Sequence, residues 1–452
     1  MARWDMRQRL VALVMIFTFA LGMLAMLHGA PVSGTPVRYS ADLMALVITA
    51  AMLCMILLGA TLLPKWFGVD PLLMTLTNFL CALGIFVQYS INPNSGLFHA
   101  LLYAAGSGLM IFTAWLIRRF ATFRKAWPII AVIAAGLLIA PLFNTVNNAH
   151  AHIPIWRDSK GLIVMTLQPS EAVKVILVIM LADMLSGHSW WPDAPWAAGF
   201  SLMCVGLLIA EKDMGTCMLY ALTVLFMFYA ASGSFAVLLG GGAVGMGAAQ
   251  VIYQYTDNVK RRVAQWLNPF MREQLDNGTV GLLGHQIAES LMALAAGGVH
   301  GLGYGIRDTF RYVPEYSNDF VFTVVCSQFG VVFALAVMGA YVVMIFRGMR
   351  IAERSRRRFH SLMAIGASAL LGIQAFVIIG GVINMFPLTG VTMPFVSQGG
   401  SSMLSCMALM GILHGVSACA DKDEQEARRL TEQPTAARPA PRAGTRSTGV
   451  TL

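Results

Sequence analysis

Apolar runs of about 17 to 25 residues recur along almost the whole chain, and each is long enough for a helix to cross the hydrocarbon of a bilayer. The runs show no ten-residue alternation of polar and apolar side chains, which argues against a transmembrane barrel. Of the 452 residues, 57% are hydrophobic and 12% are charged. Soluble domains carry roughly 25% charged residues, so this is an all-α polytopic membrane protein. The pattern predicts about twelve transmembrane helices, at 10–28, 42–63, 71–91, 97–117, 126–143, 170–187, 194–210, 214–231, 235–252, 319–346, 361–383 and 401–419. The first run lacks a small-residue cleavage site and reads as a retained span.

The formal charge of +9 is distributed as topology rather than as a nucleic-acid patch. Arg3, Arg7 and Arg9 precede the first run, and "RRFATFRK" (118–125) and "RGMRIAERSRRR" (347–358) separate later ones. Such clusters mark cytoplasmic loops. An even number of spans then returns the C-terminus to the side of the N-terminus, so both termini are expected in the cytoplasm. The cysteines lie within the apolar runs, with Cys419 at the end of the last, so no disulfide framework is expected. The absence of an internal repeat weakens a transporter built from inverted halves.

Two stretches are expected outside and are too long to be connectors. One is 144–169; the other is the large loop 253–318 between the ninth and tenth spans. After Ala420 the chain turns polar and rich in Pro, Ala and Arg, which reads as a disordered cytoplasmic tail over 420–452.

The candidate chemistry gathers at membrane edges. "FPLTGVTMPFVSQGGSS" (386–402) cannot continue as a helix, because Pro387 and Pro394 lack an N–H. Gly399 and Gly400 bring backbone N–H groups close to a ligand, and Ser401 and Ser402 stand where an N-cap belongs. A helix start preceded by glycines attracts anions, phosphate among them; the plainer alternative is a loop that only caps a helix. "QPSEAVK" places Glu171 and Lys174 one turn apart, "EKDMGT" holds Glu211, Lys212 and Asp213, and "PEYSNDFVF" puts Asp319 at the threshold of the tenth span. Ionisable groups at membrane depth are costly and often functional, although any one of these acids also suits a cap. His150 and His152 have no convincing third ligand for a metal, and His300 lies in a glycine-rich turn. No nucleophile elbow, zinc-protease helix or phosphate-binding loop occurs in its required context.

Taken in order, these stretches resemble the shape, elongation, division and sporulation proteins, the FtsW/RodA/SpoVE family. "PLTGVTMPFVSQGGSS" looks like the family signature, "LQPSEAVK" like its Gln-Pro-Ser-Glu motif with following lysine, and "WLNPF", "GGVHGLGYG" and "VPEYSNDFVF" like its large external loop. The likeness covers roughly residues 70 to 419, so residues 1–69 stand as an N-terminal addition of two helices to a ten-helix core. The chain departs at Gln398, where a tyrosine is usual, at Ser327 and Gln328, where two glutamates are usual, and at "EKDMGT".

The resemblance implies a peptidoglycan glycosyltransferase of the bacterial inner membrane. It would polymerise lipid II, the undecaprenyl-pyrophosphate-linked disaccharide-peptide, beside a class B penicillin-binding protein that acts as transpeptidase. Asp319 falls on the family's essential acid, and a divalent cation, Mg or Mn, is expected to assist. Lys174, Arg157, Arg307 and Arg311 are candidates to meet the pyrophosphate, with Glu171, Gln168 and Ser397 beside it and N–H donors from Gly399, Gly400, Ser401 and Ser402. A lipid II flippase and a non-catalytic scaffold remain the alternatives; neither needs a base at Asp319.

Overall fold

The computed structural model describes residues 6–27, 38–120, 122–143, 153–157, 163–187, 191–274 and 280–432. His150, His152 and the segment 433–452 therefore lie outside the described residues. An N-terminal pair, α1 (Met6–Leu27) and α2 (Arg38–Phe67), packs on α3 (Pro71–Ile91) and is followed by α4 (Pro93–Arg119) and α5 (Trp127–Ile139). Next come α6 (Pro169–Leu185), α7 (Ala194–Ala210), α8 (Met214–Ser232) and α9 (Phe235–Tyr255). Two shorter helices, α10 (Asp257–Leu267) and α11 (His285–Gly297), precede α12 (Val321–Arg354), α13 (Arg358–Val382) and α14 (Gly400–Glu432).

Every predicted span coincides with a helix. Among the described residues, ten helices are long and apolar enough to cross a membrane. The exceptions are α6 and α7, with 17 residues each, and α6 also carries Glu171, Lys174 and Asp183. The chain is a multi-pass membrane protein. The all-α expectation needs one addition: β1 (Ile153–Arg157) pairs antiparallel with β2 (Ile163–Leu167), and β3 (Arg272–Gln274) with β4 (Val280–Leu282). The described residues of the 253–318 region hold α10, the second hairpin and α11.

The disordered tail is corrected over its first part, because α14 runs on unbroken through Glu432. Arg354 at the end of α12 pairs with Asp421 (2.6 Å) and Glu424 (2.9 Å), and Arg428 reaches back one turn to Glu424 (2.7 Å). Polar composition concealed a run of good helix formers linked by i,i+4 pairing.

Helix starts follow local chemistry. Asp70 caps α3 by accepting from the N–H groups of Leu72 and Leu73, with Pro71 in the first turn. Asp213 caps α8 through the N–H of Thr216, and Gly233 (φ 65°) ends that helix in the left-handed region. The centre of the bundle is α3, α13 and α14. Small residues let α14 approach α4 closely: a Cβ on Gly411 would fall 2.5 Å from the Met110 carbonyl oxygen. Inside α12, Gly330 leaves helical geometry (φ 80°, ψ 171°). The 297–303 turn inserts beside this kink: the N–H groups of Leu302 and Gly303 donate to Ser327 and Gln328 carbonyls, and Val331 N–H donates to Gly298.

Candidate active site

The 386–402 stretch holds a fixed shape. Ser397 Oγ accepts from Met393 N–H (2.8 Å) and donates to the Asn318 carbonyl (2.7 Å). Gln398 N–H donates to the Ser317 carbonyl (3.0 Å), which also receives the Gln88 amide (2.9 Å). These bonds fasten the stretch to the segment that carries Asp319. Phe395, buried at φ 65°, shows how far the surrounding contacts determine the backbone there. Asp319 lies two residues before α12, half-buried, with Oδ2 3.4 Å from where a Cβ on Gly390 would stand. Gly390 has φ 75°, a conformation that calls for glycine, while a Cβ there would make only ordinary contact with Asp319.

Asp319 opens onto a cavity of about 630 Å³ that is also lined by Arg261, Arg262, Gln265, His285, Leu388 and Gly390. Burial, reinforced by the negative charge of Glu315, pushes its carboxyl up to about 7; Arg262 opposes the shift and Asp213 adds to it. Such a group exchanges a proton near neutrality, as a general base must.

Two of the acid-bearing stretches meet the start of α14. Gln168 donates its side-chain amide to Asp213 Oδ2 (3.0 Å) and its N–H to Ser401 Oγ (3.4 Å). One turn into α6, Lys174 forms an ion pair with Glu171, which also accepts from Ser405 (2.6 Å). Lys174 is 1% exposed and donates to Gln374 Oε1 (3.0 Å); Gln374 in turn donates to the Thr392 carbonyl (2.8 Å). Thr392 Oγ1 donates to Ser402 (2.6 Å). A continuous polar chain thus runs from Glu171 and Lys174 to the 386–402 stretch, inside the bundle rather than along the cavity wall. Gly399 packs on Thr392 and Ser402, and Gly400 opens α14.

The candidate arginines do not gather here. Arg311 is exposed, stacking on Tyr312 (4.8 Å), and neither Arg307 nor Arg311 lines the cavity. Arg157 belongs to β1, and its side chain lies outside the described residues. The cations that do line it, Arg261 and Arg262, were missed in the sequence. The available signal was the helical spacing of Val259, Val263, Trp266 and Leu267 against Lys260, Arg261 and Arg262, which marks α10 as an amphipathic helix.

The departures find neutral partners. Ser327 and Thr309 share a hydrogen bond (2.6 Å), and Gln328 donates to Ser90 (2.9 Å), both at the α12 kink. Glu211 differs. It is 1% exposed, and neither carboxyl oxygen has a hydrogen-bond partner among the described residues. Burial and the nearby charge of Asp213 push it up to about 8. In the unfolded chain it ionises near 4.5, so as pH rises from there to about 8 the fold bears a growing cost of withholding that charge. Glu211→Gln is expected to raise thermal stability, with a gain that increases across this window; a pH-independent difference in melting temperature would refute the assignment. Among the described residues, no group of three or more His, Cys, Asp or Glu side chains is placed to hold a metal ion.

A model of the FtsW/RodA/SpoVE family, described as a cell cycle protein, matches residues 70–422. A peptidoglycan glycosyltransferase RodA of Mycobacterium tuberculosis is 33% identical over 282 residues, which cover 58% of this chain and 57% of that protein. The chain therefore spans little more than half the length of this relative. A probable peptidoglycan glycosyltransferase FtsW of Caulobacter vibrioides is 29% identical over 362 residues, covering 77% of this chain and 88% of the relative. Among solved structures, a chain from a peptidoglycan synthase complex superposes with a TM-score of 0.61 at 24% identity, covering 78% of this chain and 98% of that one. The rod shape determining protein RodA of Thermus thermophilus superposes with a TM-score of 0.53 at 22% identity, with the same two coverages, 78% and 98%. At these identities the superpositions establish the fold. The family match runs from the start of α3 into α14, and the chain belongs to the FtsW/RodA/SpoVE family.

Proposed function

We propose that this protein polymerises lipid II into glycan strands in the bacterial inner membrane, with Asp319 as general base. The observation that carries the reading is a carboxylate poised near neutrality in a cavity that also presents guanidinium groups. The acceptor sugar hydroxyl attacks the anomeric carbon of the donor. Its proton passes to Asp319, the new O–C bond forms, and the bond to the lipid diphosphate breaks, so that undecaprenyl diphosphate leaves. The arginine-rich ends of α4 and α12 support, by the charge rule, an orientation with both termini inside and the cavity outside. A class B penicillin-binding protein would crosslink the product.

A divalent cation belongs to the proposal in a shared form. Magnesium commonly binds through one or two carboxylates together with substrate phosphates, so the substrate's diphosphate would supply much of its coordination. Its contribution would be positive charge on the diphosphate.

Purified protein given lipid II in detergent, with a divalent cation and the partner transpeptidase, is expected to make glycan strands. Because the carboxyl of Asp319 is raised, its ionised form is lost as pH falls through about 7, and kcat/KM should fall with it. A rate flat between pH 5 and 8 would remove the base. If no glycan forms under any of these conditions, a lipid II flippase or a scaffold replaces the enzyme.

A further inference from the structure

A departing diphosphate needs cations at the cavity that holds the base, and the cations near this site divide sharply. Lys174 is buried and committed to Glu171 and Gln374. Arg307 and Arg311 lie off the cavity, and Lys260 pairs with Asp257 on its own helix (3.2 Å). Arg262 lines the cavity, but its Nη1 donates to the carbonyls of Leu388 (3.2 Å) and Thr389 (3.0 Å), holding the backbone next to Gly390. His285 faces Glu289 at 3.7 Å. Arg261 alone among these lines the cavity and makes no hydrogen bond or ion pair among the described residues.

The helix that carries it is anchored. Trp266 donates its indole N–H to the Asn384 carbonyl (3.1 Å), and the Asn384 amide donates to the Trp266 carbonyl (3.2 Å). Together with the Arg262 bonds, these clamp α10 to the stretch preceding Gly390. These bonds place the backbone of α10, and from it the exposed Arg261 guanidinium can present two parallel N–H donors to a phosphate.

We propose that Arg261 is the diphosphate-binding residue of the Asp319 cavity, with Arg262 and the Trp266–Asn384 pair setting the position of α10. This rests on the reading of the cavity as the site of a lipid-linked diphosphate. It moves that contact from the residues legible in the sequence to α10. The cavity then offers its ligand a base and an unpaired guanidinium, and the anion becomes the guanidinium's first partner.

Inorganic pyrophosphate is a suitable probe, because its binding to full-length protein in detergent can be read by calorimetry without turnover. Arg261→Ala is expected to weaken pyrophosphate binding by about 10- to 100-fold, the loss of charge-assisted hydrogen bonds, and Arg261→Lys by less. Arg311→Ala should leave binding unchanged. Asp319→Asn should tighten it, since a negative charge leaves the same cavity. The proposal is overturned if unaltered protein does not bind pyrophosphate, if Arg261→Ala binds as the unaltered protein does, or if Arg311→Ala weakens binding equally. Arg261 is exposed, so its variants should fold, and unchanged melting temperatures would verify that. Pyrophosphate bound at Arg261 by a protein that makes no glycan would sink the polymerase reading and leave this one standing. Glycan made by an Arg261→Ala variant with normal KM and normal pyrophosphate binding would do the reverse.

Discussion

Asp319→Asn is expected to lower lipid II polymerisation by about two to four orders of magnitude, the usual contribution of a positioned general base. The amide fits the same space beside Gly390, and α12 starts without a side-chain capping bond for the change to remove. What it loses is the ability to take a proton from the acceptor hydroxyl. The fold should not suffer. Because the carboxyl is raised from 3.8 to about 7, the fold bears a growing cost as pH rises between these values, so the neutral amide should equal or exceed the native side chain in thermal stability at pH 8. Glycan synthesis is measured alongside melting temperature. A stable Asp319→Asn protein that polymerises at a near-normal rate would remove Asp319 from the chemistry.

The second large effect lies inside the bundle. Lys174→Ala leaves the Glu171 carboxylate buried beside Ser405 without its cation, which typically costs about 3–5 kcal/mol. The same change also cuts the link through Gln374 to Thr392, so activity should fall with stability. Lys125→Ala, at an exposed position between α4 and α5, should do neither. The double variant Glu171→Gln/Lys174→Met removes both charges and should regain most of the stability. If it also regains polymerisation, Lys174 acts through the shape of the 386–402 stretch. If it is stable and inactive, Lys174 has a direct part in turnover.

These two residues show how differently a site can be read from sequence. Asp319 was legible, because an acid just before an apolar run lies at a membrane edge wherever the helices pack. Lys174 had the same appearance, one turn beyond Glu171 near a helix start, yet the packing of α6 against α13 and α14 turned it inward. The helices themselves were visible because each apolar run is a local property. Arg262 was not, because its partners lie 126 and 127 residues away and only the assembled bundle brings them together. Arg261 was hidden in a loop judged by its length, although the amphipathic period of 257–267 was open to inspection. The helical continuation past Ala420 was missed for a related reason: its charges were counted as solvated, whereas Arg354 supplies their partners from a different helix.

The uninterrupted course of α14 has a mechanical consequence. Its 33 residues make a rod of roughly 50 Å, with Gly400 and Ser401 at one tip and the Asp421–Glu424 anchorage near the other. No proline breaks it, and the close glycine contacts with α4 leave little slack for bending. A pull or twist applied at the arginine-rich end would therefore reach the end of the 386–402 stretch as displacement rather than be absorbed on the way. The two faces of the membrane are joined here by a single stiff lever.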